Sequence, residues 1–303
     1  MENHCKAKNY DRGNYFRKFH VWPIPTHLNY EGWLGNFTLD SDRKIAEQIL
    51  DFFTYYPRDI VDKMLSTSVG CAGRIFQKHY SDWTHNDFKQ RCIYSFIPGE
   101  IPNPSDSGHT FLRKIREIAN IPQSQLIEFK DLFKHLEDNS SDSIPVILVD
   151  DIVGSGAQCD SAWCTQIGGS NLNTLQSISQ KYGHKFVYAP LIINETGRNR
   201  IGNSCPELFL SPAHVIGEDY CLFSKKCICW HNDETSFKQG IEMIVRKSTE
   251  LGIKDNNSEV SVKGFGGQGL AIAFEHGAPD AIPAFFYWEG NNWMPLIKKS
   301  YVR

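Results

Sequence analysis

Ile144-Pro145-Val146-Ile147-Leu148-Val149-Asp150-Asp151-Ile152-Val153-Gly154-Ser155-Gly156-Ala157-Gln158 is the stretch that decides the fold of this chain. Its short apolar run reads as a strand buried on both faces of a sheet. Asp150 and Asp151 end the run, a small Gly-rich turn follows, and Ala162, Trp163 and Ile167 stand at helical spacing beyond it. The predicted order is buried strand, paired carboxylates, tight loop, helix start. A glycine loop at a helix N-terminus offers free backbone N–H groups and close approach, which suits a phosphate. Carboxylates beside it repel phosphate and suit sugar hydroxyls or a metal. Phosphate on one side and ribose on the other describe a phosphoribosyl site.

Working outward, Arg91 to Ile97 is a strand candidate ended by Pro98-Gly99. A loop rich in Pro, Asn, Asp and Ser then leads to a helix with Phe111, Leu112, Ile115, Ile118 and Ala119. A further helix carries Leu126, Ile127, Phe129, Leu132, Phe133 and Leu136. After the central motif, residues 172 to 182 read as helix and 186 to 193 as a second buried strand. Strands alternating with helices predict a parallel sheet flanked by helices, an α/β fold. Ligands in such sheets sit beyond the carboxyl ends of the strands, where both the Asp pair and the 98–108 loop fall.

Residues 1 to 88 read as a helical N-terminal cap. Ile45, Ile49, Leu50, Phe53 and Tyr56 mark one helical face that stops at Pro57, and Pro57 opens a second helix. Residues 89 to 303 form the core with a C-terminal hood. The hood comprises a helix over 235–251 and strand candidates at 260–263, 270–274 and 284–288. Formal net charge is −3, which gives no overall electrostatic case for nucleic-acid binding. The run Lys6, Lys8, Arg12, Arg17, Lys18 and His20 reads as a solvated arm. With 19 Phe, 12 Tyr and 7 Trp, the chain has aromatics for a substantial core or flat-ligand surfaces. No apolar stretch has the length of a membrane span and the first 20 residues lack a signal-peptide core, so a cytoplasmic protein with reduced thiols is expected. Cys221, Cys227, Cys229 and His231 invite a zinc reading but lack paired C-x₂-C knuckles, and buried thiols are the plainer expectation. Gly264-Phe265-Gly266-Gly267-Gln268-Gly269 matches G-x-G-x-x-G, yet no helix opens from it. It is expected to be a turn or a lid rather than a nicotinamide site.

The central motif resembles the phosphoribosyl-pyrophosphate (PRPP) loop of type I phosphoribosyltransferases. With Gly154-Ser155-Gly156 after the acidic pair, it is similar to the PRTase-CE branch of prokaryotic conflict systems. Phe96-Ile97-Pro98-Gly99, with Ser105-Asp106-Ser107-Gly108, resembles that branch's first phosphate loop. Ala271-Ile272-Ala273-Phe274-Glu275-His276-Gly277-Ala278-Pro279, with Ile282-Pro283 and Trp288, resembles its C-terminal strand and loop. The resemblance covers roughly residues 90 to 300.

The resemblance implies a PRPP- or ribose-phosphate-dependent transferase working through an oxocarbenium-like transition state, with a nucleotide, nucleic acid or protein as acceptor. Asp150 and Asp151 would take the ribose hydroxyls, and both would serve an Mg2+ ion indirectly. Gly154, Ser155, Gly156, Ala157 and Gln158 would hold the 5′-phosphate, and Pro98, Gly99, Ser107 and Gly108 the pyrophosphate side. Two residues depart from the family pattern. Gln158 stands where Thr or Ser is usual, and Gly154 where purine-salvage members carry an Asp. Glycine cannot act as a base, so simple purine salvage is not expected. His109, Glu275 and His276 are the candidates to activate an acceptor, against plain surface or turn roles. The family context implies an effector, toxin-like, of antiviral defence, including retron loci, restrained by a reverse transcriptase with its DNA or by a DNA-binding regulator. A binding module that senses PRPP or a nucleotide without turnover is the alternative, and hydrolysis of a nucleotide's glycosidic bond a third reading.

Overall fold

A computed structural model describes residues 11–24, 26–99, 107–165, 174–256, 258 and 260–299. The chain divides into two compact units, Met1–Arg58 with Glu218–Arg303, and Asp59–Gly217. These boundaries differ from the expected division at residue 88. Residues 59–88 belong with the central sheet, and the expected hood belongs with residues 1–58.

The first unit begins with α1 (Asp11–Lys18), α2 (Tyr30–Gly35), α3 (Asp40–Phe52) and β1 (Thr54–Tyr56). The Asn29 side chain caps α2 by accepting the Gly32 N–H. The helix expected to reach Tyr56 stops at Phe52, because Thr54–Tyr56 pairs in parallel with Ile272–Phe274. Strand pairing outweighs the helical spacing of Phe53 and Tyr56, as tertiary context commonly does.

The second unit opens with α4 (Arg58–Phe76), which starts at the boundary, and α5 (His85–Arg91), closed at its N-terminus by a Thr84/Asp87 capping box. Then come β2 (Ile93–Phe96), α6 (Ser107–Ala119), α7 (Phe129–Asp138), β3 (Pro145–Val153), α8 (Ala157–Cys164), α9 (Leu175–Tyr182), β4 (Lys185–Asn194), α10 (Glu195–Ser204), β5 (Leu208–Leu210) and β6 (His214–Ile216). The sheet order is β2-β3-β4, with β5 beside the first half of β4 and β6 beside its end, all parallel. Leu126 and Ile127 are not helical as expected. Leu126 bridges to Tyr94 and the Ile127 N–H donates to the Tyr94 carbonyl at 2.9 Å, so the helix begins at Phe129.

One core fills the face where Val146, Leu148, Phe186 and Tyr188 meet Leu132 and Leu136 of α7, Trp163 of α8 and Ile178 of α9. α6 packs on β2 and β3, with α4 nearby across a cavity of about 220 Å³ floored by Tyr94 and Ile147. Helices on both faces and a β3 that is apolar from Pro145 to Val149 are what a parallel sheet requires.

Back in the first unit, α11 (Glu234–Glu250) is followed by Leu251 and Gly252 (φ +78°), and β7 (Ile272–Phe274) pairs with β1. Of the three strands expected here, only the 270–274 candidate forms one, shortened to β7. Residues 260–263 are turn, and Ala284–Phe286 is a 3₁₀ turn. The aromatic run Phe285-Phe286 is drawn into a cluster around buried Trp33, whose indole N–H donates to the Phe285 carbonyl at 3.3 Å. That packing, rather than strand pairing, satisfies this segment.

Candidate functional site

β3 carries the acidic pair to the carboxyl edge of the sheet and runs on to Val153, two residues past Asp151, where the sequence reading ended the run. Along the strand, Val146, Leu148 and Asp150 alternate with residues of the opposite face. Asp150 therefore lies over the buried side, only 5% exposed. The Tyr188 phenol of β4 donates to Asp150 Oδ2 at 2.5 Å, and the Asp151 N–H donates to Oδ1 at 2.9 Å. Burial, then the charge of Asp151, holds the Asp150 carboxyl well above the usual carboxylate range. Burial, then the charge of Asp150, likewise raises the Tyr188 phenol. Asp151 is half-buried, and its Oδ1 accepts the Ile152 N–H at 2.8 Å.

The turn after β3 is shaped by Gly156, which caps α8 in the left-handed region at φ +75°. Ser155 Oγ accepts the Ala157 N–H at 3.3 Å. Behind the turn stands the first turn of α10, started by Asn194, whose side chain accepts the Thr196 N–H at 2.9 Å. A Cβ added to Gly197 would overlap the Gly154 carbonyl oxygen and stand 3.1 Å from Gly156 N. The Gly154 carbonyl is thus turned toward α10. In a trans peptide the partnered Ser155 N–H points the other way, away from α10. The helix N-terminus adds its own orphan donors and positive dipole end there.

The edge of β2 contributes Pro98 and Gly99, both half-buried. The Gln158 side chain does not project as a free phosphate donor. Its amide donates to the Pro98 carbonyl at 2.8 Å and ties α8 to the chain leaving β2. Gly108 and His109 lie in the first turn of α6, and the His109 ring packs on Phe96 with centroids 4.6 Å apart. Gly108 has to be glycine, since a Cβ would overlap the Phe96 ring. Ser107 opens α6, while Ser105 and Asp106 lie outside the described residues. The second unit therefore gathers Asp150, Asp151, Gly154–Gln158, Pro98, Gly99, Gly108 and His109 at one edge.

Glu275 and His276 belong to the first unit. Glu275 Oε2 accepts the Arg58 N–H at 2.8 Å, serving the start of α4, and His276 stacks on Phe274. Gly264–Gly269 forms a tight turn with Phe265–Gly267 in a 3₁₀ turn and no helix opening from it, as expected. Cys227 and Cys229 are buried, burial pushing the Cys227 thiol up to about 12. Among the described residues no group of three His, Cys, Asp or Glu is arranged to hold a metal. The sequence reading did not pick out Tyr188, Asn194 or Gly197. Asn194 was legible as a helix cap after a buried strand, whereas nothing local marked Tyr188 or Gly197.

A parallel α/β sheet with an acidic strand end, a glycine loop and a helix N-terminus at its carboxyl edge defines a phosphoribosyltransferase-like protein. The PRTase-CE family model matches residues 30–299, and the chain belongs to that family. A search of curated proteins found no match. No helix among the described residues is long and apolar enough to cross a membrane.

Proposed function

We propose that the second unit binds PRPP or another ribose phosphate at this edge and transfers the phosphoribosyl group to a nucleotide, nucleic-acid or protein acceptor. The observation that carries the reading is the half-exposed Asp151 carboxylate beside a glycine turn that opens α8, its Gly154 carbonyl turned to α10 and its Ser155 N–H away from it. The N–H groups of residues 154–158 would hold the 5′-phosphate, and the acidic strand end would serve the ribose through its more exposed carboxylate, Asp151. In the reaction the bond from the ribose anomeric carbon to pyrophosphate oxygen breaks, pyrophosphate leaves with the electron pair, and an acceptor lone pair forms the new bond. The acceptor's proton goes to a base, for which His109 is the candidate at this edge. The protein's main contribution is positioning and charge stabilisation.

The donor set fits Mg2+ delivered with the substrate. One half-exposed carboxylate beside a buried one is no cage, and Mg2+ commonly takes one or two carboxylates plus phosphate oxygens and water. Bound there, it would neutralise charge developing on the pyrophosphate. A defence-effector role follows from the family resemblance alone and is part of the proposal.

A second reading, a non-catalytic sensor of PRPP or a nucleotide, is favoured by Gln158, whose amide is committed to Pro98. Incubation with PRPP, Mg2+ and a nucleotide or RNA mixture, followed by pyrophosphate release, separates the two. Release abolished by Asp151→Asn supports transfer. Tight PRPP binding without release leaves the sensor, and free base formed from a nucleotide without PRPP indicates hydrolysis.

A further inference from the structure

The adjacent aspartates are not equivalent. Both Asp150 oxygens already accept a protein donor, one from Tyr188 and one from the Asp151 N–H, and the side chain is 5% exposed. So little of its surface is exposed that a substrate hydroxyl has almost no approach to it. Tyr188 is 1% exposed and is set by β4, where Pro190 is the register partner of Asp150. Its phenol thus comes up from two residues earlier on the neighbouring strand. Through Oδ1, the same carboxyl fixes the peptide N–H of Asp151. Asp151 keeps a half-exposed side chain next to the glycine turn.

Resting on the ribose-phosphate reading of this site, we infer that the pair divides its work: Asp151 meets the ribose, while Asp150 and Tyr188 are positioning residues that set the Asp151 peptide and the loop after it. Tyr188 reaches no ligand itself. It acts by keeping one oxygen of a buried acid satisfied, so that the other holds the backbone where the loop begins. A buried hydrogen bond to an acid is costly to leave unmade.

The test uses the full chain and three substitutions. Titration calorimetry with PRPP and Mg2+ is run alongside hydrogen–deuterium exchange of the ligand-free protein. Asp151→Asn weakens PRPP binding at least tenfold and leaves exchange of residues 150–158 unchanged. Asp150→Asn preserves volume, and its amide can donate to the phenol oxygen while its carbonyl keeps the Asp151 N–H. Binding therefore stays within about threefold of the unsubstituted chain. Tyr188→Phe weakens binding about tenfold, the size of one charge-assisted hydrogen bond. It also speeds exchange in residues 150–158 without a general rise elsewhere, which a merely structural loss would produce.

Equal losses for Asp150→Asn and Asp151→Asn overturn the division, because Asp150 would then be a direct ligand. Unchanged binding and exchange in Tyr188→Phe overturn the positioning role, as does exchange that rises throughout the chain. Should the unsubstituted chain take no PRPP, the ribose-phosphate reading fails and the exchange data decide alone. Faster exchange confined to 150–158 upholds the positioning pair, and any other pattern overturns it.

Discussion

Gly197→Ala is the sharpest test of how the phosphate loop is built. The new Cβ would overlap the Gly154 carbonyl oxygen, with Val153 Cγ1 at 3.0 Å and Gly156 N at 3.1 Å. Two of these three atoms are backbone at the junction of β3 and the loop, so no flexible side chain can swing aside. Overpacking of this kind costs about 1–3 kcal/mol. The usual gain from replacing glycine by alanine in a helix offsets up to about 1 kcal/mol of that. Gly202 lies in the same helix and its added Cβ meets nothing within 4 Å, so Gly202→Ala isolates the propensity gain. At about 2–4 °C per kcal/mol for a domain of this size, the two variants should melt several degrees apart, Gly197→Ala lower. Moving the Gly154 carbonyl also turns the Ser155 N–H, so calorimetric affinity for inorganic phosphate should fall in Gly197→Ala and hold in Gly202→Ala. A Gly197→Ala protein that melts with Gly202→Ala and binds phosphate equally well would refute the claim that α10 sets the loop.

Other outcomes follow from single contacts. Gln158→Ala removes the 2.8 Å bond to the Pro98 carbonyl, worth about 1 kcal/mol, and should speed exchange at residues 97–99 while sparing phosphate affinity, since the backbone N–H remains. Buried His184 accepts the Ile144 N–H on Nδ1 at 3.0 Å and sits 3.2 Å from the Leu136 carbonyl through Nε2, a neutral ring used on both sides. Burial lowers its pKa from 6.5, so the unfolded chain takes up this proton first as pH falls. Stability is full above pH 6.5 and declines below it until the folded pKa is passed, and urea titrations of His184→Gln should lack that component of acid sensitivity. Among the described thiols, exposed Cys164 should react first with a disulfide reagent at pH 8. Buried Cys205 and Cys227, pushed up to about 11 and about 12 by burial, should react only on unfolding.

The central motif was legible because its signals are local and agree: an apolar run, two acids, then glycines. β3, α8 and β4 formed where periodicity put them, although β3 outlasts its acidic pair. Errors gathered where tertiary partners overrule spacing. Thr54–Tyr56 left a helix pattern to pair with β7, Leu126-Ile127 left another to join Tyr94, and Phe285-Phe286 left a strand pattern for Trp33. Each segment had a plausible local period and a better offer from a residue far away in the chain.

Sequence by itself determined the class: a parallel sheet, an acidic pair at a strand end and a glycine loop opening a helix, because hydrophobic period and turn chemistry are written residue by residue. Only the tertiary structure decided how the two aspartates differ. That depends on Tyr188 rising beneath Asp150 from the next strand and on Gly197 bringing α10 against the loop. Both contacts join residues about forty positions apart, and no local spacing encodes which side of a strand will be dry.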